Sequence, residues 1–152
     1  MTHAGVIAQQ AKTFLLAYET LDDSMYQRMQ RGDMYFRLPI AERIPVVAAA
    51  LTCIAFAAEI AIKALVVHSA GGSLSVCPRG HRLDKLFGNV PCNLQQAIAA
   101  TLNRPLQEVH ENLRKNANAF EQWRYSYENG AWGDEQFLRD FVKASLAQLG
   151  IA

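Results

Sequence analysis

Apolar residues recur along this chain at every third or fourth position, and no run alternates with a period of two. That is the pattern of helices sharing a common core, because about 3.6 residues complete a helical turn. In the first segment Ile7, Ala11, Phe14, Tyr18, Leu21, Met25 and Met29 form one stripe, which should stop near Gly32-Asp33. A loop over residues 34–43 is expected next, followed by a helix with Pro45 in its first turn, where a missing N–H costs nothing.

Residues 46–67 are apolar apart from Thr52, Glu59 and Lys63. The length suits a membrane span. Two ionisable groups each oppose insertion by about 2.5–3.5 kcal/mol, and alanine supplies little driving force. The reading is therefore a buried central helix and no membrane. Its alanines, Ala55, Ala57, Ala58, Ala61 and Ala64 among them, let neighbouring helices approach closely.

Residues 70–80 read as a flexible loop, and Gly71-Gly72-Ser73 as a hinge, since they lack the phosphate-loop pattern and its preceding strand. A short turn follows, with Leu83, Leu86 and Phe87 on one side and Arg82, Asp84 and Lys85 on the other. Pro91 breaks it. Leu94, Ile98 and Leu102 mark another short helix, which ends at Asn103-Arg104-Pro105. A long helix is expected from residue 105 to about 128, with Asn129-Gly130 as its stop. Asp134 can cap the last helix, whose core face is Phe137, Leu138, Phe141, Val142, Leu146 and Leu149. The fold class is all-α: a single-domain up-and-down helical bundle over residues 1–152, with four to five main helices plus short ones.

The chain is 51% hydrophobic and 19% charged, which excludes a disordered chain. Its net charge of +1 gives no global pull toward nucleic acid and leaves only local patches to argue from. Cys53, Cys77 and Cys92 make no disulfide framework. Cys53 reads as a small buried hydrophobe. The start, Met1-Thr2-His3-Ala4-Gly5, has no signal-peptide pattern, so a cytoplasmic location is expected.

Glu59 and Lys63, four apart on one helix, form a structural ion pair. The simpler expectation is a solvated pair at the bundle edge; the sharper one is a half-buried pair that fixes register or lines a cleft. Cys77, His81 and Cys92 have the spacing Cys-x3-His-x10-Cys, which fits no zinc pattern and offers no fourth ligand. No metal and no cofactor is expected. The most loaded stretch carries His110, Arg114, Glu121, Trp123, Arg124, Tyr125, Tyr127 and Glu128. Structurally it reads as a helix end bolted down by aromatics and ion pairs. Functionally, arginines among aromatics can clamp a base or a phosphate.

Three pieces of the chain together resemble the HEPN superfamily of nucleotide-binding helical bundles. Ala58-Glu59-Ile60-Ala61-Ile62-Lys63-Ala64-Leu65 is similar to that family's apolar second helix. Gly80-His81-Arg82-Leu83-Asp84-Lys85-Leu86-Phe87 resembles its turn after a variable loop, and Phe120-Glu121-Gln122-Trp123-Arg124-Tyr125-Ser126-Tyr127-Glu128 an ending seen in some members. The resemblance implies a bundle, often a homodimer, tied to RNA or nucleotide chemistry in toxin–antitoxin or defence settings. Some members are partners of small nucleotidyltransferases, so the resemblance also implies a nucleotidyltransferase-type partner.

Ribonuclease members carry an arginine, four to six residues, then a histidine. Here no histidine follows Arg114 at that spacing, and the pair that fits, Arg104 and His110, straddles the helix break at Pro105. The expectation is a catalytically degenerate protein binding RNA, a nucleotide or a protein partner through His81, Arg114, Trp123, Arg124, Tyr125 and Glu128. One alternative is a metal-free endoribonuclease using His110 with Arg104 or Arg114. Another is a structural dimerisation module.

Overall fold

The computed structural model describes residues 2–30, 40–119 and 134–151. Six α-helices occur there: α1 (His3–Gln30), α2 (Ile40–Ser69), α3 (Leu83–Phe87), α4 (Cys92–Thr101), α5 (Leu106–Lys115) and α6 (Glu135–Gln148). A 3₁₀ turn, Leu74–Val76, joins α2 to α3, and there is no strand among the described residues. The protein is an all-α helical bundle.

Thr2 precedes α1 and caps it: its side-chain oxygen accepts from the Gly5 N–H at 3.2 Å while its carbonyl accepts from the Val6 N–H. Its buried face is Ala4, Ala8, Ala11, Leu15 and Tyr18. The heavier stripe of Ile7, Phe14, Leu21 and Met25 lies beside that face and is only partly buried. The reason is close approach: small residues on α1 meet the alanine-rich α2, and bulk is pushed to the shoulder. Phe14 meets Phe56 there edge-on, with ring centroids 4.7 Å apart.

Helix α2 starts at Ile40, within the stretch expected to be loop and ahead of the Pro45 start. Ile54, Ala55, Ala57, Ala58, Ala61, Ile62, Ala64, Leu65 and Val67 have no exposed surface. The segment Val47–Ser69 is long and apolar enough to cross a membrane, but 72% of its most apolar window is buried within the protein. Helices α1, α3 and α6 all pack against it. The helix ends in two crossed backbone bonds, from Gly72 to the Val67 carbonyl (2.8 Å) and from Gly71 to the His68 carbonyl (3.1 Å). This cap needs a left-handed residue, and Gly71 supplies it at φ 67°. The glycine pair expected to act as a hinge is therefore a helix stop.

The short elements follow the sequence closely. Leu83, Leu86 and Phe87 are the buried side of α3. Asn103, at φ 51°, ends α4 with the same crossed pair of bonds. Asp134 caps α6, accepting from the Phe137 N–H at 2.9 Å. Phe137, Leu138, Phe141, Val142 and Leu146 point into the core, with Leu149 partly buried against it.

The long helix expected from residue 105 to 128 does not form as one piece, because α5 stops at Lys115 and a turn covers residues 116–118. Asn116 ends it. Only 3% exposed, it donates its side-chain N–H to the Asn112 carbonyl at 2.9 Å. Its side-chain oxygen accepts from the Asp134 backbone N–H at 3.1 Å. The Leu83 N–H is then given to the Ala117 carbonyl at 3.0 Å. A polar side chain competing for backbone partners is a common reason for a helix to end, and here it also ties α5 to the starts of α6 and α3.

Candidate functional site

The polar residues of the α3 turn face those of α5 across an open cleft of about 660 Å³, lined by Asp84, Lys85, Leu106, Gln107, His110, Glu111 and Arg114. Each wall follows from local sequence. Burying Leu83, Leu86 and Phe87 turns Asp84 and Lys85 outward. Burying Val109 and Leu113 on α5 leaves His110 and Arg114, one turn apart, on the neighbouring face.

The acids of the cleft are partly committed. Asp84 is gripped by Arg82 through Nε at 3.1 Å and Nη2 at 2.8 Å. Burial pushes its carboxyl up, but the Arg82 bond, the Lys85 backbone N–H and the charges of both residues hold it below the usual aspartate range. Glu111 accepts from the Gln107 amide at 2.9 Å. Lys85 and Arg114, by contrast, have no ion-pair partner among the described residues, whereas Lys63, Arg82, Arg104 and Lys143 all do.

His110 is half-buried, with its ring 5.3 Å from that of Phe87 and its Nε2 2.9 Å from Gln95 Oε1. Gln95 lies at the edge of the core and gives both of its amide hydrogens to backbone, to the carbonyls of Phe87 (3.1 Å) and Val90 (2.7 Å). Nothing in the spacing of the sequence singles out Gln95. It sits beside the apolar stripe of a short helix, and its partner is 15 positions away.

The other expected site residues are dispersed. Arg104 lines a different groove with Thr101, Phe137, Asp140 and Lys143. It is paired with Glu108 at 2.6 Å and stands 5.9 Å above the Phe137 ring. Arg104 thus does not share the His110 cleft within one chain, and Arg114 does. Trp123, Arg124, Tyr125 and Glu128 lie outside the described residues, as do Glu121 and Tyr127.

His81 leads to a second cluster. Glu59 is 2% exposed, and each of its oxygens has its own partner: Lys63 Nζ at 2.7 Å and His81 Nδ1 at 3.0 Å. The carboxylate is therefore buried, and the expectation of a pair solvated at the bundle edge gives way to the half-buried pair. Lys63 is 20% and His81 51% exposed, so the cluster reaches from the core to the surface. Cys53, Cys77 and Cys92 are free thiols. Burial pushes the Cys53 thiol up. Among the described residues no three His, Cys, Asp or Glu side chains gather as a metal cluster would.

Fold and site together define an all-α bundle in which His110, Lys85 and Arg114 line one cleft, the two cations having no ion-pair partner among the described residues. Comparison with known protein families, with curated proteins and with solved structures finds no match.

Proposed function

We propose that this protein is a HEPN-like bundle that binds RNA without cleaving it, through the cleft between α3 and α5. One observation carries the reading: Lys85 and Arg114 line a single cleft with His110 and have no ion-pair partner among the described residues. Cations left without an internal partner are suited to phosphates, whose contacts supply most of the affinity and position the strand. Arg82 reduces the opposing charge by holding Asp84. Single-stranded RNA labelled with a fluorophore should bind with an affinity that falls as salt rises. Arg114→Ala should weaken it roughly tenfold and reduce the salt slope by about one. Binding that is unaffected by salt and by this substitution would sink the proposal.

A second reading, a metal-free endoribonuclease, is favoured by the placement of His110 and Arg114 one turn apart on the same cleft. Histidine would move the proton and arginine would stabilise phosphate charge. Incubation with total RNA in EDTA, beside His110→Ala, separates the two. Cleavage lost in the variant supports the enzyme; RNA equally intact with both proteins and with buffer removes it.

A further inference from the structure

The amide of Gln95 can be oriented without ambiguity. Its nitrogen faces two carbonyl oxygens, Phe87 at 3.1 Å and Val90 at 2.7 Å, neither of which can donate. Rotating the amide by half a turn would set its oxygen against both of them. The oxygen must therefore face His110, and an amide oxygen only accepts. At 2.9 Å from that oxygen, His110 Nε2 must carry the hydrogen.

In a neutral imidazole the hydrogen on one nitrogen leaves the other bare. Nδ1 of His110 has no hydrogen-bond partner among the described residues, and the ring lines the cleft beside Arg114. We infer that Gln95 is a positioning residue, holding His110 as the Nε2–H tautomer and so making Nδ1 a hydrogen-bond acceptor at the cleft. The site then selects a ligand in which an O–H or N–H donor lies beside an anionic group. The donor would go to Nδ1, and the anion to Arg114 or Lys85.

The specificity rests on the cleft being the binding site, but the tautomer does not. Gln95 is fixed by backbone of the turn after α3, so its aim depends on the fold and not on the ligand. The arrangement also explains a glutamine at this position. A glutamate could not donate to the two carbonyls, and a leucine would leave the Val90 carbonyl without its donor, whereas the Phe87 carbonyl also accepts from the Val90 N–H.

Long-range ¹H–¹⁵N correlation spectra of the labelled full chain, at a pH where the ring is neutral, test the inference directly. His110 should show hydrogen on Nε2 and a bare Nδ1, with the Nε2 proton exchanging with water about tenfold more slowly than in Gln95→Leu, the effect of one lost hydrogen bond. A majority of Nδ1–H, or a ring proton that exchanges as fast as in the variant, overturns it. Should Gln95→Leu not fold, the wild-type tautomer decides. A second pair of variants tests the ligand claim. His110→Gln can keep a donor toward Gln95 but loses the Nδ1 acceptor, and should fold like wild type while losing RNA binding. His110→Asn, which can place an acceptor near Nδ1, should retain more binding. A locked Nε2–H tautomer in a protein that binds no RNA would uphold the role of Gln95 and dismiss the RNA reading.

Discussion

Two buried polar side chains show how differently the same fold treats charge and dipole. Glu59 is ionisable and almost wholly buried, yet both of its oxygens are partnered. Removing it would leave Lys63 and His81 facing each other at the core edge, so Glu59→Ala should cost about 3 kcal/mol in chemical denaturation. Ser145 is the opposite case: it has no exposed surface and its hydroxyl has no partner among the described residues. Ser145→Ala should therefore raise stability by about 1 kcal/mol, measured the same way. The Glu59–Lys63 half of the first cluster is legible from a spacing of four. His81 is not, because it lies 22 positions away, and neither is the depth of burial, which depends on where the chain returns.

At the scale of elements, the ends of helices were harder to read than their faces. The periodicity of α6 and the capping role of Asp134 come directly from local chemistry. The end of α5 does not, since the apolar stripe runs on past Lys115 and only the cross-link through Asn116 halts the helix. Asn116→Ala should cost about 2 kcal/mol, from two lost hydrogen bonds and the Asp134 backbone N–H left without its acceptor. The fall should appear as a lower denaturation midpoint with an unchanged slope.

The contact of α1 with α6 sets a pH dependence. Burial, then the charges of Asp22 and Glu135, push the Tyr18 phenol up from its ordinary 10.0 to about 12. The folded state keeps a proton that the unfolded chain releases, so stability present below pH 10.0 is lost as pH rises through about 12. Glu135 is raised by burial, then, against a bond from its own backbone N–H, by Asp22 and Asp134. Its contribution has the same sign: it is full below 4.5 and lost as pH climbs through the raised value. Glu135→Gln should raise the melting temperature at neutral pH and lose that advantage in acid. Tyr18→Phe should move alkaline unfolding to higher pH. Thermal melts across pH check both.

For the whole molecule, the apolar length of α2 and the helical periodicity elsewhere already required an all-α bundle with that helix inside. What they could not supply is the meeting of distant surfaces. Lys85 and Arg114 line one cleft only because α3 and α5 pack together, and Gln95 meets His110 from a third helix, α4. The spacing-matched pair of Arg104 and His110 is separated for the same reason, with Arg104 drawn to Glu108 and Phe137. On the proposed function, RNA is held in the α3–α5 cleft. Titrating a short single-stranded RNA into ¹⁵N-labelled protein and mapping the shifted resonances tests it most directly. The largest changes are expected at Lys85, His110 and Arg114. Changes centred on the Arg104–Lys143 groove, or none at all, would contradict it.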